Sequence, residues 1–155
     1  MSLRLHIIAV GRARQGPERA LYEHFAGRLT DWPLTLREVE TRGRIAPERL
    51  KAAEADAILA ALPDRATLVA LDETGKALAS TEFAQRIADW RDAGVADLAF
   101  VIGGADGLDD SVRRRADLLL SFGRATWPHM LVRGLLAEQV YRARQIIAGH
   151  PYHRD

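Results

Sequence analysis

The sequence predicts a single α/β domain, a mostly parallel sheet with helices on both faces. Three observations predict it. Strand-like and helix-like segments alternate along the whole chain. Two short apolar runs, Thr67–Leu71 and Leu98–Ile102, lack the polar alternation of a half-wet strand, so they suit parallel strands buried on both sides. The 155 residues suffice for one domain with a sizeable core, and no linker, repeat or low-complexity segment divides them.

The elements follow in order. Leu3–Val10 is rich in β-formers and reads as a first strand that Gly11 ends. Pro17 opens a helix, near the first turn where its missing N–H does no harm, and Leu21, Phe25 and Leu29 give it a buried stripe. Leu34–Val39 alternates apolar and polar and reads as a second strand. Residues 41–46 (TRGRIA) form a basic loop. A helix from Pro47 to before Pro63 carries Leu50, Ala53, Ala57 and Ala61 on one face. After the Thr67–Leu71 strand, Asp72 to Lys76 reads as a polar loop. Ser80 is placed to cap the next helix, Phe83, Ile87 and Trp90 to line its inner face, and Gly94 to end it. The Leu98–Ile102 strand runs into GGADG at 103–107, and a short arginine-rich helix follows. Leu118–Ser121 is a last short strand, 122–128 a loop, and His129 to about Ala148 a long helix.

Composition bounds the function. Hydrophobic residues make up 48% and charged residues 28%, as in globular proteins. No run of about 18 apolar residues occurs, so no membrane span is expected. The N-terminus has no long apolar core before a cleavage site, so no signal peptide is expected. With no cysteine there is no disulfide, thiolate zinc site or cysteine nucleophile, which fits a cytoplasmic protein. Net charge is only +1, yet arginines crowd the last third of the chain. A local patch, not the total, decides phosphate binding.

In open α/β sheets ligands sit outside the C-terminal ends of the strands. Three such ends carry unusual chemistry: Leu71-Asp72-Glu73, Ile102-Gly103-Gly104 and Ser121-Phe122-Gly123. Their glycines let backbone groups approach a ligand closely. Backbone groups with apolar side chains can hold an adenine and a ribose. No GxGxxG follows the first strand, and neither GxxxxGK[ST] nor GxSxG occurs, which weakens dinucleotide, P-loop and serine-hydrolase readings. His150 and His153 lack a helical arrangement and further ligands, so no metal site is expected.

On the last helix Val132, Leu136, Val140, Ala143 and Ile147 form an apolar stripe that Leu131 and Leu135 widen, broad enough that part of it can meet another subunit. Gly134, Glu138, Arg142 and Gln145 occupy another face. Glu138 precedes Arg142 by four, the favoured order for an ion pair; it is either an ordinary surface pair or a mount for the C-terminal tail. Tails tend to fray, but His150-Pro151-Tyr152-His153-Arg154 concentrates groups that stack on bases, bind phosphate and move protons.

Five segments in order carry a resemblance: 71–76 (LDETGK), 100–108 (FVIGGADGL), 126–133 (TWPHMLVR), 138–143 (EQVYRA) and 150–154 (HPYHR). Together they resemble the RlmH family, the small knotted SPOUT-class methyltransferases of large-subunit ribosomal RNA. The resemblance covers nearly the whole chain, strongest from Leu98 onward and weakest between Gly11 and Ala66. It implies a deep trefoil knot formed by the C-terminal segment and a homodimer that completes the active site. It implies methyl transfer from S-adenosyl-L-methionine to N3 of a pseudouridine in 23S rRNA, preferably in the assembled ribosome, with no part for DNA or a membrane. Carried over, the cofactor touches Leu71, Gly103, Phe122, Gly123, Arg124, Ala125, Thr126 and Trp127. In the tail, His153 with Tyr152 would assist loss of the N3 proton, and Arg154 and Arg142 would hold phosphate or stabilise charge on the base; His129 is a lesser candidate. The basic loop 41–46, with Arg12 and Arg14, is either an RNA contact or a solvated surface. Two other classes stay open: a non-catalytic ribosome- or RNA-binding protein, and a nucleotide-dependent enzyme of small molecules.

Overall fold

The structure is a computed structural model and describes residues 3–154; Met1, Ser2 and Asp155 lie outside the described residues. Its elements are β1 (Arg4–Val10), α1 (Pro17–Ala26), β2 (Leu34–Val39), α2 (Pro47–Ala61), β3 (Thr67–Lys76), α3 (Ser80–Asp92), β4 (Asp97–Ile102), α4 (Asp110–Arg115), β5 (Leu118–Leu120) and α5 (His129–Ile147). The five strands make one sheet in the order β2-β1-β4-β3-β5. Every paired neighbour is parallel, as the predicted fold class requires.

Strand periodicity divides the core in two. Leu5, Ile7 and Ala9 of β1, Val69 of β3 and Leu98, Phe100 and Ile102 of β4 face a cluster with α1, α3 and α5. Ile8, Val10, Leu68, Ala70, Ala99 and Val101 face α2 and α4. The second face carries Ala70 and Ala99 among its larger aliphatics, and α2 lies against it through Ala55, Ile58 and Ala61. That turns α2 away from its expected face: Ala61 is buried, but Leu50, Ala53 and Ala57 are only half-buried. Alanines on several sides of α2 let the sheet, not the helix's own pattern, choose the face.

Three further expectations change. Asp72 to Lys76 is not simply a loop, because β3 continues to Lys76. Leu71 and Lys76 both pair with Leu120, so 72–75 bulge out between them. Gly75 permits the return, since a β-carbon there would stand 2.5 Å from the Leu119 carbonyl carbon. Ser80 does not cap α3. The cap position is Ala79, whose N–H donates to Glu82 Oε1 at 2.8 Å, while the Ser80 hydroxyl donates to Gln139 Oε1 of α5 at 2.7 Å. Gly134 is buried rather than on the polar face of α5; a β-carbon there would lie 2.6 Å from Leu21 Cδ2, so α1 and α5 meet at a glycine.

Candidate functional site

All strands run the same way, so the ends of β3, β4 and β5 open on one edge of the sheet. A cavity of about 430 Å³ lies there. Its walls are the 72–74 bulge, the turn from Ile102 to Leu108, and the loop from Phe122 to Trp127. Leu71, Gly103, Phe122, Gly123, Ala125, Thr126 and Trp127 all line it, as does His129. Arg124 does not; it is exposed outside the lining.

Each wall has a local cause. Gly103 is buried, and a β-carbon on it would meet the Gly107 carbonyl oxygen at 2.9 Å, so only glycine closes this turn. Gly107 adopts φ 82° and its N–H donates to the Gly104 carbonyl at 3.0 Å. Ser121, 5% exposed, joins the other two walls. Its Oγ accepts the Gly123 N–H at 3.1 Å and lies 3.2 Å from the Glu73 carbonyl and 3.0 Å from the Gly123 carbonyl, either of which its proton can serve. Trp127 is 44% exposed, the one large hydrophobic side chain exposed among the described residues. Its indole N–H donates to the Phe122 carbonyl at 3.3 Å. An aromatic face held open over a concave site offers a planar ligand a surface to stack on.

The polar end is set by Arg113 of α4. Its guanidinium lies 2.9 Å from Asp72 Oδ2 and donates to Thr74 Oγ1 at 2.9 Å, fastening the bulge to α4. The sequence alone places Arg113 in an arginine-rich helix and Ser121 at a ligand-facing strand end; the links Arg113–Asp72, Arg113–Thr74 and Ser121–Glu73 each span more than 35 positions, which local pattern cannot reveal.

Below this cavity a second one, of about 370 Å³, shares Leu120, Phe122, Gly123 and Trp127 with it and reaches Glu138 and Gln139 of α5. Glu138 is the mount of the tail. It pairs with Arg142 through both carboxylate oxygens, at 3.1 and 2.9 Å, and accepts the Tyr152 hydroxyl at 3.2 Å. Burial first, and then the Glu138 charge, raise the Tyr152 pKa. Arg142 also stacks 4.9 Å from the Tyr152 ring centre, and Tyr152 meets Tyr141 edge-on at 4.8 Å. The tail is therefore docked through Tyr152 and His153, while Arg154 is exposed. Arg142 Nη1 lies 3.0 Å from His153 Nδ1. A guanidinium only donates, so Nδ1 is the acceptor in this contact. Neither cavity is lined by residues 150–154 of the same chain. Among the described residues no cluster of three or more His, Asp or Glu could hold a metal ion.

The family model described as "Predicted SPOUT methyltransferase" matches residues 3–153. A relative from Rhodospirillum centenum, named ribosomal RNA large subunit methyltransferase H, is 67% identical over 152 residues, 98% of this chain and 99% of its own. A probable methylase family protein from Haemophilus influenzae shares the fold with a TM-score of 0.56 and 12% identity, covering 100% of this chain and 72% of its own. A putative methyltransferase from Legionella pneumophila, solved with SAM bound, has a TM-score of 0.51 and 14% identity over 92% of this chain and 67% of its own.

Proposed function

The chain belongs to the SPOUT methyltransferase family and, within it, to the ribosomal RNA large subunit methyltransferase H proteins, and from that premise we propose that it transfers a methyl group from S-adenosyl-L-methionine to N3 of a pseudouridine in 23S rRNA. The observation that carries the reading is the cavity at the ends of β3, β4 and β5. It combines a turn only glycine can form, backbone donors and acceptors, and an exposed indole. Its size suits a nucleoside-sized ligand.

Leu71, Gly103, Phe122, Gly123, Ala125, Thr126 and Trp127 would hold the cofactor, and Arg124, outside the lining, would take part through its backbone. The bound cofactor supplies a methyl group made electrophilic by the neighbouring sulfonium. The protein's share is alignment and exclusion of water. Trp127 would offer its ring to the adenine, and the Gly103–Gly107 turn would receive the sugar. His153 would assist loss of the N3 proton, and Arg142 beside its Nδ1 would hold an RNA phosphate or stabilise charge on the base. Tyr152 and Glu138 would orient that pair, and Arg154 would hold phosphate. Residues 150–154 line neither cavity of their own chain, which supports a tail that serves the cavity of a second copy. The homodimer, the deep trefoil knot and a place among ribosomes in the cytoplasm belong to the same reading. No helix among the described residues is long and apolar enough to cross a membrane.

Mass spectrometry of rRNA from a deletion strain tests it. Loss of one N3-methylated pseudouridine from 23S rRNA, restored by the purified protein and S-adenosyl-L-methionine, is expected. An unchanged methylation pattern would overturn the reading. Calorimetry with the cofactor separates the enzyme from a pure RNA binder, which would give no binding heat.

A further inference from the structure

We propose that the loops after β1 and β2 form an arginine rim that grips the phosphate backbone of the RNA whose target nucleotide enters the neighbouring cavity. The proposal rests on the methyltransferase reading for its ligand and on four independent observations for its location.

The first is position. Ala9 pairs with Ile102 and Val10 with Val39, so Gly11, Glu40 and Gly103 leave the sheet side by side at the same edge. β2 is two strands from β4, roughly 10 Å. A nucleotide held at the ends of β4 and β3 therefore carries its flanking phosphates past these loops.

The second is charge. Residues 11–16 and 40–51 hold six cationic side chains and two carboxylates, in a chain whose net charge is +1. Among the described residues Arg14, Arg42 and Arg44 make no ion pair or side-chain hydrogen bond, and Arg12 has only a loose one, 4.0 Å from Glu40 with both exposed. Like charges gathered without partners repel one another, and a polyanion relieves that repulsion. Neither loop contains an aromatic residue, so the rim has nothing for a base to stack on and reads phosphate alone.

The third is continuity. α2 begins directly after the second loop, and Lys51 on its second turn lines the cavity itself. Positive side chains thus continue from the rim through Arg49 to Lys51 at the cavity mouth, with Glu48 interposed.

The fourth is a rigid mount. The Gly11 N–H donates to the Val39 carbonyl at 2.9 Å and the Ala13 N–H to Glu38 Oε2 at 2.6 Å. Buried Arg133 of α5 donates to the Gly11 carbonyl at 2.9 Å and to Glu38 Oε2 at 2.6 Å. α5 begins directly after the Phe122–Trp127 wall, so rim and cavity hang on the same helix.

The test is the triple variant R14A/R42A/R44A, all exposed positions, assayed in the full-length protein. Binding to protein-free 23S rRNA and to ribosomes is measured across a salt series, with calorimetry for S-adenosyl-L-methionine alongside. Each phosphate contact contributes about 0.7 to the salt slope for single strands, so the slope on protein-free rRNA should fall by about two. Cofactor affinity and melting temperature should stay at wild-type values, and the triple lysine variant should keep the wild-type slope. An unchanged slope on protein-free rRNA overturns the rim. Loss of binding to ribosomes alone also overturns it, because the partner would then be a ribosomal protein. A wild-type protein that binds no cofactor would sink the methyltransferase reading and not the rim, which the slope still decides.

Discussion

Arg133 Nη1 lies 2.6 Å from Glu38 Oε2, joining α5 to the end of β2 across 95 positions of chain. The two ends differ: the Arg133 side chain is 2% exposed and that of Glu38 is 29% exposed. Arg133 also reaches the Val10 and Gly11 carbonyls, while its Nε has no hydrogen-bond partner among the described residues. The asymmetry dictates which half of the pair matters more.

Glu38→Ala should destabilise the fold by about 3 kcal/mol, because it strands a buried guanidinium. Arg133→Met should cost less, since Glu38 can turn to water. Denaturant titration of the two variants checks the order; the reverse ranking would refute it. Although burial opposes ionisation of Glu38, the Ala13 N–H and Arg133 outweigh it and hold its pKa below the usual value.

A second acid-sensitive clip lies at the other end of the sheet. Asp97, at the start of β4, accepts Arg4 Nε and His6 Nε2, both at 2.8 Å. The Arg4 hydrogen bond, against opposing burial and with help from His6, lowers the Asp97 pKa from 3.8 to about 2. A depressed folded value means the stability is present above pH ~4 and lost as pH falls towards 2. It amounts to at most about 2 kcal/mol, less for the exposure of Arg4. Thermal melts from pH 5 to 2 should show a shallower acid decline for Asp97→Asn than for wild type.

Gly134→Ala should loosen the α1–α5 contact. The new methyl would overlap Leu21 Cδ2 at 2.6 Å and Cγ at 2.7 Å, so the overpacking should cost about 1–3 kcal/mol. Pairing it with Leu21→Ala should recover part of the loss in a double-mutant cycle; simple additivity would argue against the contact.

Trp127→Ala should separate binding from folding. The indole is 44% exposed and lines the cavity, so the melting temperature should hardly move. Cofactor affinity measured by calorimetry should fall about tenfold, the worth of one aromatic contact in a concave site. Unaltered affinity would remove the indole from the proposed adenine wall.

The fold was legible where burial is two-sided or periodicity strong. The Thr67–Leu71 and Leu98–Ile102 runs became β3 and β4 because a fully apolar run has few other homes. The α2 face was not legible, since alanines fit either side and Ala70 and Ala99 made the choice from across the sheet. Nor was the continuation of β3, where a polar string pairs only because Gly75 lets it return against Leu119. At the site, strand ends and glycines pointed to the cavity. The roles of Arg113 and Arg133 and the link from Ser121 to Glu73 stayed hidden, because those partners lie far off in sequence. Tyr152 and His153 were legible as chemistry, but their contacts with Glu138 and Arg142 were visible only in three dimensions.

The strand order also governs how the chain can be made. β1 is the second strand of the sheet, yet its inner neighbour β4 begins 93 positions later, where Arg4 meets Asp97. Helix α5, the last element, closes on the Gly11 carbonyl from 122 positions away. A nascent chain leaving its exit channel N-terminus first can form hairpin-scale contacts early, but not this sheet. β1 can pair with β2 early, but its other edge must wait for β4, and its end for α5, the last element. The folding rate is therefore set by loop closure over most of the chain. A truncation anywhere before α5 should leave the apolar faces of β1 and β4 without cover and send the fragment into aggregation.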